Sequence, residues 1–204
     1  MELVRYARAR LPTRYGEFAV VVYRTGSAPG PGATPLGGGD EEHVAMVMGD
    51  VTGDDVLVRV HSSCFTGEVL GSQRCDCRAQ LDAAMERIGK LGRGVLVYLV
   101  QEGRGIGLGN KVRAYALQDD GVDTVDANLQ LGFDADHRSY DLAAAILADL
   151  GVGSVRLMTN NPAKLAGLAE AGVRVAAHEP HWVDAGVHAA DYLEVKKDRM
   201  GHLR

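Results

Sequence analysis

Apolar positions along the chain fall into two periods, and their order predicts a strand-rich first half followed by an alternating second half. Phe18 to Tyr23 is a β-branched run after the turn at Tyr15-Gly16. His43 to Met48 and Val56 to His61 read as two more strands, with VTGDD turning between them. From Arg78 to about Ile88 the period lengthens, and Leu81, Ala84, Met85 and Ile88 fall on one helical stripe. Gly94 to Val100 is a continuous apolar strand of the kind buried on both faces. A Gly-rich loop then leads into a helix with Leu108, Val112, Tyr115 and Ala116 on one side. A helix (Tyr140 to Leu150), a strand (Val155 to Met158), a helix (Pro162 to Ala171) and a strand (Val173 to Ala177) complete the alternation. The pattern predicts an α+β (mixed α/β) fold, βαβ-like in its second half, in a single compact domain spanning residues 1–204.

Other stretches stand outside this alternation. The N-terminal MELVRYARAR has charges spread through it and no long apolar run. GSAPGPGATPLGGGD, residues 26–40, cannot build core and is expected to be a mobile surface loop. DTVDANLQLGFDADHR, residues 123–138, reads as loop. The tail at 191–204 reads as a helix with basic residues near its end.

Composition narrows the class. Of 204 residues, 46% are hydrophobic and 24% charged, and no apolar stretch suits a signal peptide or a membrane span. A cytoplasmic protein with no membrane partner is the expectation. The formal charge of −5 argues against nucleic acid as a partner while leaving room for a small anionic substrate.

All three cysteines, Cys64, Cys75 and Cys77, fall within RVHSSCFTGEVLGSQRCDCRAQ. In a reducing compartment such a cluster points to a metal rather than to a disulfide. An extended Cys75-Asp76-Cys77 would turn both sulfurs to one face, with Cys64 arriving from the preceding strand. Zinc suits thiolates, and three protein ligands leave a fourth position for water. A structural zinc completed by a histidine such as His61, or three unrelated buried thiols, are the alternatives.

EGRGIGLGNK (Glu102 to Lys111) matches neither the P-loop nor the dinucleotide spacing, yet its glycines let backbone amides approach an anion, with Arg104, Lys111 and Arg113 supplying charge. TNNPAK (Thr159 to Lys164) reads as a strand-to-helix turn with Pro162 in the first helical turn. Asp136 or Ser139 would cap the helix that follows them.

RVHSSCFTGEVLGSQRCDCRAQL, QEGRGIGLGNKVRAYALQD, DTVDAN and LMTNNPAK, in this order, resemble GTP cyclohydrolase II, in its stand-alone form. The resemblance implies a homodimer that binds one zinc through Cys64, Cys75 and Cys77. It implies hydrolysis of GTP to 2,5-diamino-6-ribosylamino-4(3H)-pyrimidinone 5′-phosphate, formate and pyrophosphate, with magnesium held by the triphosphate. The family's GTP contacts fall on Arg59, Val60, His61, Ser62, Ser63, Gln80, Glu102, Gly103, Arg104, Thr124, Thr159 and Lys164. Its proton acceptor falls on Asp136, its nucleophile on Arg138, and the tyrosine near the metal-bound water on Tyr115. A carboxylate and an amide suit guanine's polar edge, so Glu102 and Gln80 are expected to read the base, while Arg59, Arg104 and Lys164 suit the phosphates. A guanidinium stays protonated, so stabilising charge on the α-phosphate is the more physical role for Arg138.

Two positions depart from the family's pattern. Ser63 stands where an acidic residue is usual, and Arg78 where a glycine is usual, which predicts a more positive pocket. A relative that stops at the formamidopyrimidine, and a zinc-stabilised GTP-binding module without turnover, are the alternative functions.

Overall fold

The computed structural model describes residues 3–25, 42–122, 124–133 and 138–183. The expectations for the 26–40 loop, for Asp136 and for the 191–204 tail lie outside these residues. The strands are β1 (Leu3–Thr13), β2 (Gly16–Thr25), β3 (Glu42–Met48), β4 (Val56–Ser62), β5 (Gly94–Leu99), β6 (Val155–Met158) and β7 (Val175–Glu179). The helices are α1 (Phe65–Glu68), α2 (Cys77–Leu91), α3 (Gly107–Asp119), α4 (Thr124–Gln130), α5 (Asp141–Asp149) and α6 (Pro162–Glu170), with a 3₁₀ turn at Glu102–Gly105.

One mixed sheet joins all these strands in the order β1-β2-β3-β5-β4-β6-β7. The edge β1-β2-β3-β5 is antiparallel, whereas β5, β4, β6 and β7 run parallel. The mixed α/β class expected from the apolar pattern is the class observed. The chain leaves β4 for β5 on one side, then crosses back to β6 on the other, so the carboxyl ends of β5, β4 and β6 stand together. In open α/β sheets that reversal opens a crevice where ligands bind.

Strand alternation divides the core in two. Val56, Val58, Val60, Val95, Val97 and Leu99 face Leu142, Ile146 and Leu147 of α5 and Leu168 of α6. Leu57 and Leu96 face Ala84, Met85 and Ile88 of α2, the stripe read from the sequence. Covered on both sides, β4 and β5 are the near-continuous apolar runs such a position demands. Ile88 is fully buried, and truncating it to alanine would cost about 2–5 kcal/mol. Helix α2 ends where Gly92 turns left-handed (φ 71°) and its amide donates to the Ile88 carbonyl.

The structure adds one strand and departs from the sequence expectations at three places. The N-terminus is an 11-residue strand, β1, registered against β2 from Leu3–Thr25 to Thr13–Gly16. It is solvated along most of its length, so its short alternation of Ala7, Ala9 and Leu11 with Arg8 and Arg10 buries little. Residues 124–130, expected in a loop, form helix α4, which packs on α3. Finally, Cys75-Asp76-Cys77 is not extended: Asp76 (φ −96°, ψ 9°) caps α2 and Cys77 is its first residue. The last strand also lies two residues later than read, at Val175–Glu179.

Candidate metal centre

Cys64 follows β4 by two residues and precedes α1, whose Glu68 amide donates to the Cys64 carbonyl at 2.8 Å. Cys75 and Cys77 arrive from the turn into α2. The three sulfurs lie within 4.8 Å of one another, with Cys64 and Cys75 at 3.6 Å. Tetrahedral ligands at 2.3 Å from zinc are about 3.8 Å apart, so the spacing fits one thiolate-bound cation. Gly67 leaves the room: a Cβ there would stand 2.8 Å from Cys75 Sγ and 3.2 Å from Cys64 Sγ. Hydrogen bonds from Cys75 and Cys77, then the charge of Lys111, draw the Cys64 thiol far below the ordinary thiol range. The same sharing pushes Cys77 well up. Three convergent thiols that can yield protons to a cation are the chemistry of a metal-ligating set.

His61 does not join this group. Its Nε2 lies 2.7 Å from Glu68 Oε1, while Glu68 Oε2 accepts from Tyr98 Oη at 2.6 Å. The His61 and Tyr98 rings stack at 5.8 Å. Burial pulls the His61 pKa down, against the pull of Glu68. The trio ties α1, and with it the cysteine cradle, to β4 and β5.

A second buried chain runs beside it. Arg59 donates to the Met158 carbonyl at 2.9 Å and to Gln80 Oε1, and Gln80 Nε2 donates to Asp76 Oδ2. The Gln80 carbonyl pairs with His181 Nε2 at 2.8 Å. Burial lowers Arg59 to about 10, which leaves it charged at neutral pH, with Asp76 holding it up. Burial and the nearby Arg59 lower His181 to about 4, so its imidazole is neutral.

Most of the expected site residues converge on this edge. Arg59, His61, Ser62 and Ser63 lie at the end of β4, Glu102 to Arg104 beyond β5, Thr159 beyond β6, and Lys164 in the first turn of α6. Asn161 caps α6 by accepting from the Ala163 amide, with Pro162 in the first turn as read. Lys164 Nζ donates 2.7 Å to the Val60 carbonyl, so Val60 meets Lys164 through its backbone while its side chain sits in the α5 core. Tyr115 Oη is 3.4 Å from Thr66 Oγ1, itself 3.8 Å from Cys64 Sγ. Arg138 is part-buried and its charge reaches Arg59. Thr124 opens α4.

Glu102 is already engaged: Lys111 Nζ donates to it at 2.7 Å and the Phe65 amide at 2.6 Å. Arg104 adopts a left-handed backbone (φ 62°), a strain of about 1–2 kcal/mol of the kind held at functional loops. Arg78 pairs with Asp82 and the Glu68 carbonyl with half its side chain in solvent, so the extra positive charge expected from it is screened. The sequence reading missed Thr66, Gly67, Glu68 and Asp76 as parts of the site. Lys111 entered it only as nearby charge, although its four-residue spacing from Tyr115 on one helix put them on a common face.

Among the described residues, five polar atoms, Arg59 Nε, His61 Nδ1, Ser62 Oγ, Ser63 Oγ and Gln101 Oε1, are buried at this edge without a hydrogen-bond partner. Such groups cost free energy unless a ligand or water meets them. Fold and site define a mixed α/β protein with a three-cysteine centre able to hold a metal ion, beside a polar crevice at the carboxyl ends of its parallel strands. Residues 4–180 match the GTP cyclohydrolase II family, and the chain belongs to it. It is 53% identical to riboflavin biosynthesis protein RibBA of Mycobacteroides abscessus over 204 residues, covering 97% of this chain and 46% of that protein. Identity to RibBA of Mycobacterium tuberculosis is 50%, over 97% of this chain and 45% of that one. The chain thus spans about half the length of these relatives. A two-domain 3,4-dihydroxy-2-butanone 4-phosphate synthase from A. baumannii, RibBX, superimposes with TM-score 0.47 at 22% identity, over 89% of this chain and 40% of that one.

Proposed function

We propose that this chain hydrolyses GTP at the guanine imidazole ring, releasing formate and pyrophosphate and leaving 2,5-diamino-6-ribosylamino-4(3H)-pyrimidinone 5′-phosphate, the first step of riboflavin biosynthesis. Family membership supports the reaction class. The observation that carries the reading is the partnerless polar lining beside three convergent sulfurs.

Cys64, Cys75 and Cys77 would hold zinc, which supplies a Lewis acid that makes water nucleophilic near neutral pH. Water adds at C8, the electron-poor carbon between two ring nitrogens, and hydrolysis of the resulting formamide frees formate. Burial raises the Tyr115 pKa, so its hydroxyl stays protonated at the edge of the cysteine centre and can donate to a departing nitrogen. Ser62, Ser63 and the Gln101 amide supply donors and acceptors that suit a purine edge. Arg59, Lys164 and Arg138 gather positive charge for the triphosphate, to which bound magnesium would add, and Arg138 stabilises the α-phosphate as pyrophosphate leaves. Asp136 would accept the proton there, and the working unit is a homodimer.

Zinc-loaded protein incubated with GTP and magnesium tests the reading by separate assays of formate and pyrophosphate. Both products in equal amounts support it. Pyrophosphate without formate would point to a reaction that stops at the formamidopyrimidine, and neither product to a binding module.

A further inference from the structure

We infer that Lys111 is a positioning residue that couples the cysteine centre to Glu102, offsetting the negative charge on the Cys64 sulfur while fixing the direction of the carboxylate. The inference rests on the metal centre proposed above. Lys111 Nζ lies 3.1 Å from Cys64 Sγ and 2.7 Å from Glu102 Oε1, and both side chains are 13% exposed. The other Glu102 oxygen accepts from the amide of Phe65, the residue after Cys64, at 2.6 Å. Cys64, Phe65, Glu102 and Lys111 therefore form a closed ring that links the ends of β4 and β5 to α3.

The loop backbone is shaped to admit the lysine. A Cβ on Gly103 would stand 3.1 Å from Lys111 Cβ, so a side chain there would crowd its stem. The Gly103 amide adds a further bond to Glu102 Oε1 at 3.0 Å. An ion pair that merely fastened α3 to the turn would need no sulfur within hydrogen-bonding reach.

Charge explains why a cation belongs there. Three thiolates around a divalent cation sum to one negative charge, which would repel a polyphosphate in a weakly screened site. With the Glu102 carboxylate counted, the lysine ammonium halves the total from two negative charges to one. Its hydrogen bond also draws electron density from sulfur, and such outer partners tune both a metal ligand and the reaction it supports. Glu102, held from two sides, keeps a fixed carboxylate beyond the end of β5.

The test uses cobalt(II) in place of zinc and reads the sulfur-to-cobalt charge-transfer band in the parent, Lys111→Gln, Lys111→Met and Lys111→Arg. Loss of the ammonium leaves Cys64 more electron-rich, so the band moves to longer wavelength in the Gln and Met variants and returns toward the parent's in Arg. Turnover of GTP falls about 10- to 100-fold in kcat, with KM changed much less. Two uncharged variants of different polarity keep the test open should one fail to fold. A band unmoved in a folded uncharged variant overturns the inference, whatever its turnover. A parent that binds cobalt but does not turn over GTP overturns the proposed function, and the band shift still decides the role of Lys111.

Discussion

Gly67 passes so close to Cys75 that a Cβ on it would stand 2.8 Å from the cysteine's sulfur. The one-turn helix α1 thus leaves its side-chain space to the three thiols. Gly67→Ala is expected to lower affinity for zinc or cobalt about 10- to 100-fold while the fold persists. Titration with a competing chromophoric chelator measures this, and parent-like affinity would show that the cradle yields without cost.

Metal removal should loosen the site but not the sheet. The α5-facing core between Val56, Val97 and Ile146 is built of apolar contacts without the cysteines. Chelation is expected to lower the thermal midpoint while far-ultraviolet circular dichroism at 25 °C stays that of the loaded protein. Collapse of that signal on chelation would sink the idea that the fold stands without the ion.

Glu68 carries two bonds that fasten α1 to the strands, at 2.7 Å to His61 and 2.6 Å from Tyr98. Glu68→Gln keeps the shape but removes the charge that strengthens both, a loss of about 1–3 kcal/mol. Urea unfolding at pH 7 checks this, and a midpoint equal to the parent's would mean the trio contributes nothing net.

His181 makes stability fall in acid. Its folded pKa, about 4, lies below the ordinary value of 6.5, so the unfolded chain binds the proton first. The stabilisation is complete above about pH 6.5 and is lost as pH falls toward 4, by up to about 3 kcal/mol. His61, also lowered by burial, acts in the same direction. A His181→Gln variant, which cannot titrate, should lose less stability than the parent between pH 7 and 4; equal losses would rule His181 out as the cause.

Arg138 approaches the charge of Arg59 at the crevice. Were its role electrostatic, Arg138→Lys would keep a substantial part of pyrophosphate release, because the charge remains. Loss of pyrophosphate with no other change in folding or metal content would instead require the guanidinium itself.

Local chemistry and local period were readable without a structure. Cysteine is rare here and its reactivity is specific, so a cluster of three announced a cation site before any geometry was known. Gly94–Val100 is apolar on both faces because it is covered on both, Val56–His61 keeps one apolar face and sets Leu57, Arg59 and His61 on the other, and the α2 stripe had only one partner to meet. Other features had a weak local signature or none. Strand β1 is solvated on both sides and owes its form to the ladder of β2, and α4 owes its place to α3. The sulfurs converge through a helix start rather than an extended tripeptide, because Asp76 turns the backbone there.

The sequence by itself determined the three-cysteine cluster, the fold class and the family. Tertiary structure alone decided which buried groups share a charge: His61 with Glu68 and Tyr98, Arg59 with Gln80 and Asp76, and Lys111 with Cys64 and Glu102. Those partners are up to 47 residues apart, and hydrogen bonds act over about 3 Å. Only the sheet's reversal at β4, which brings three strand ends together, closes that distance.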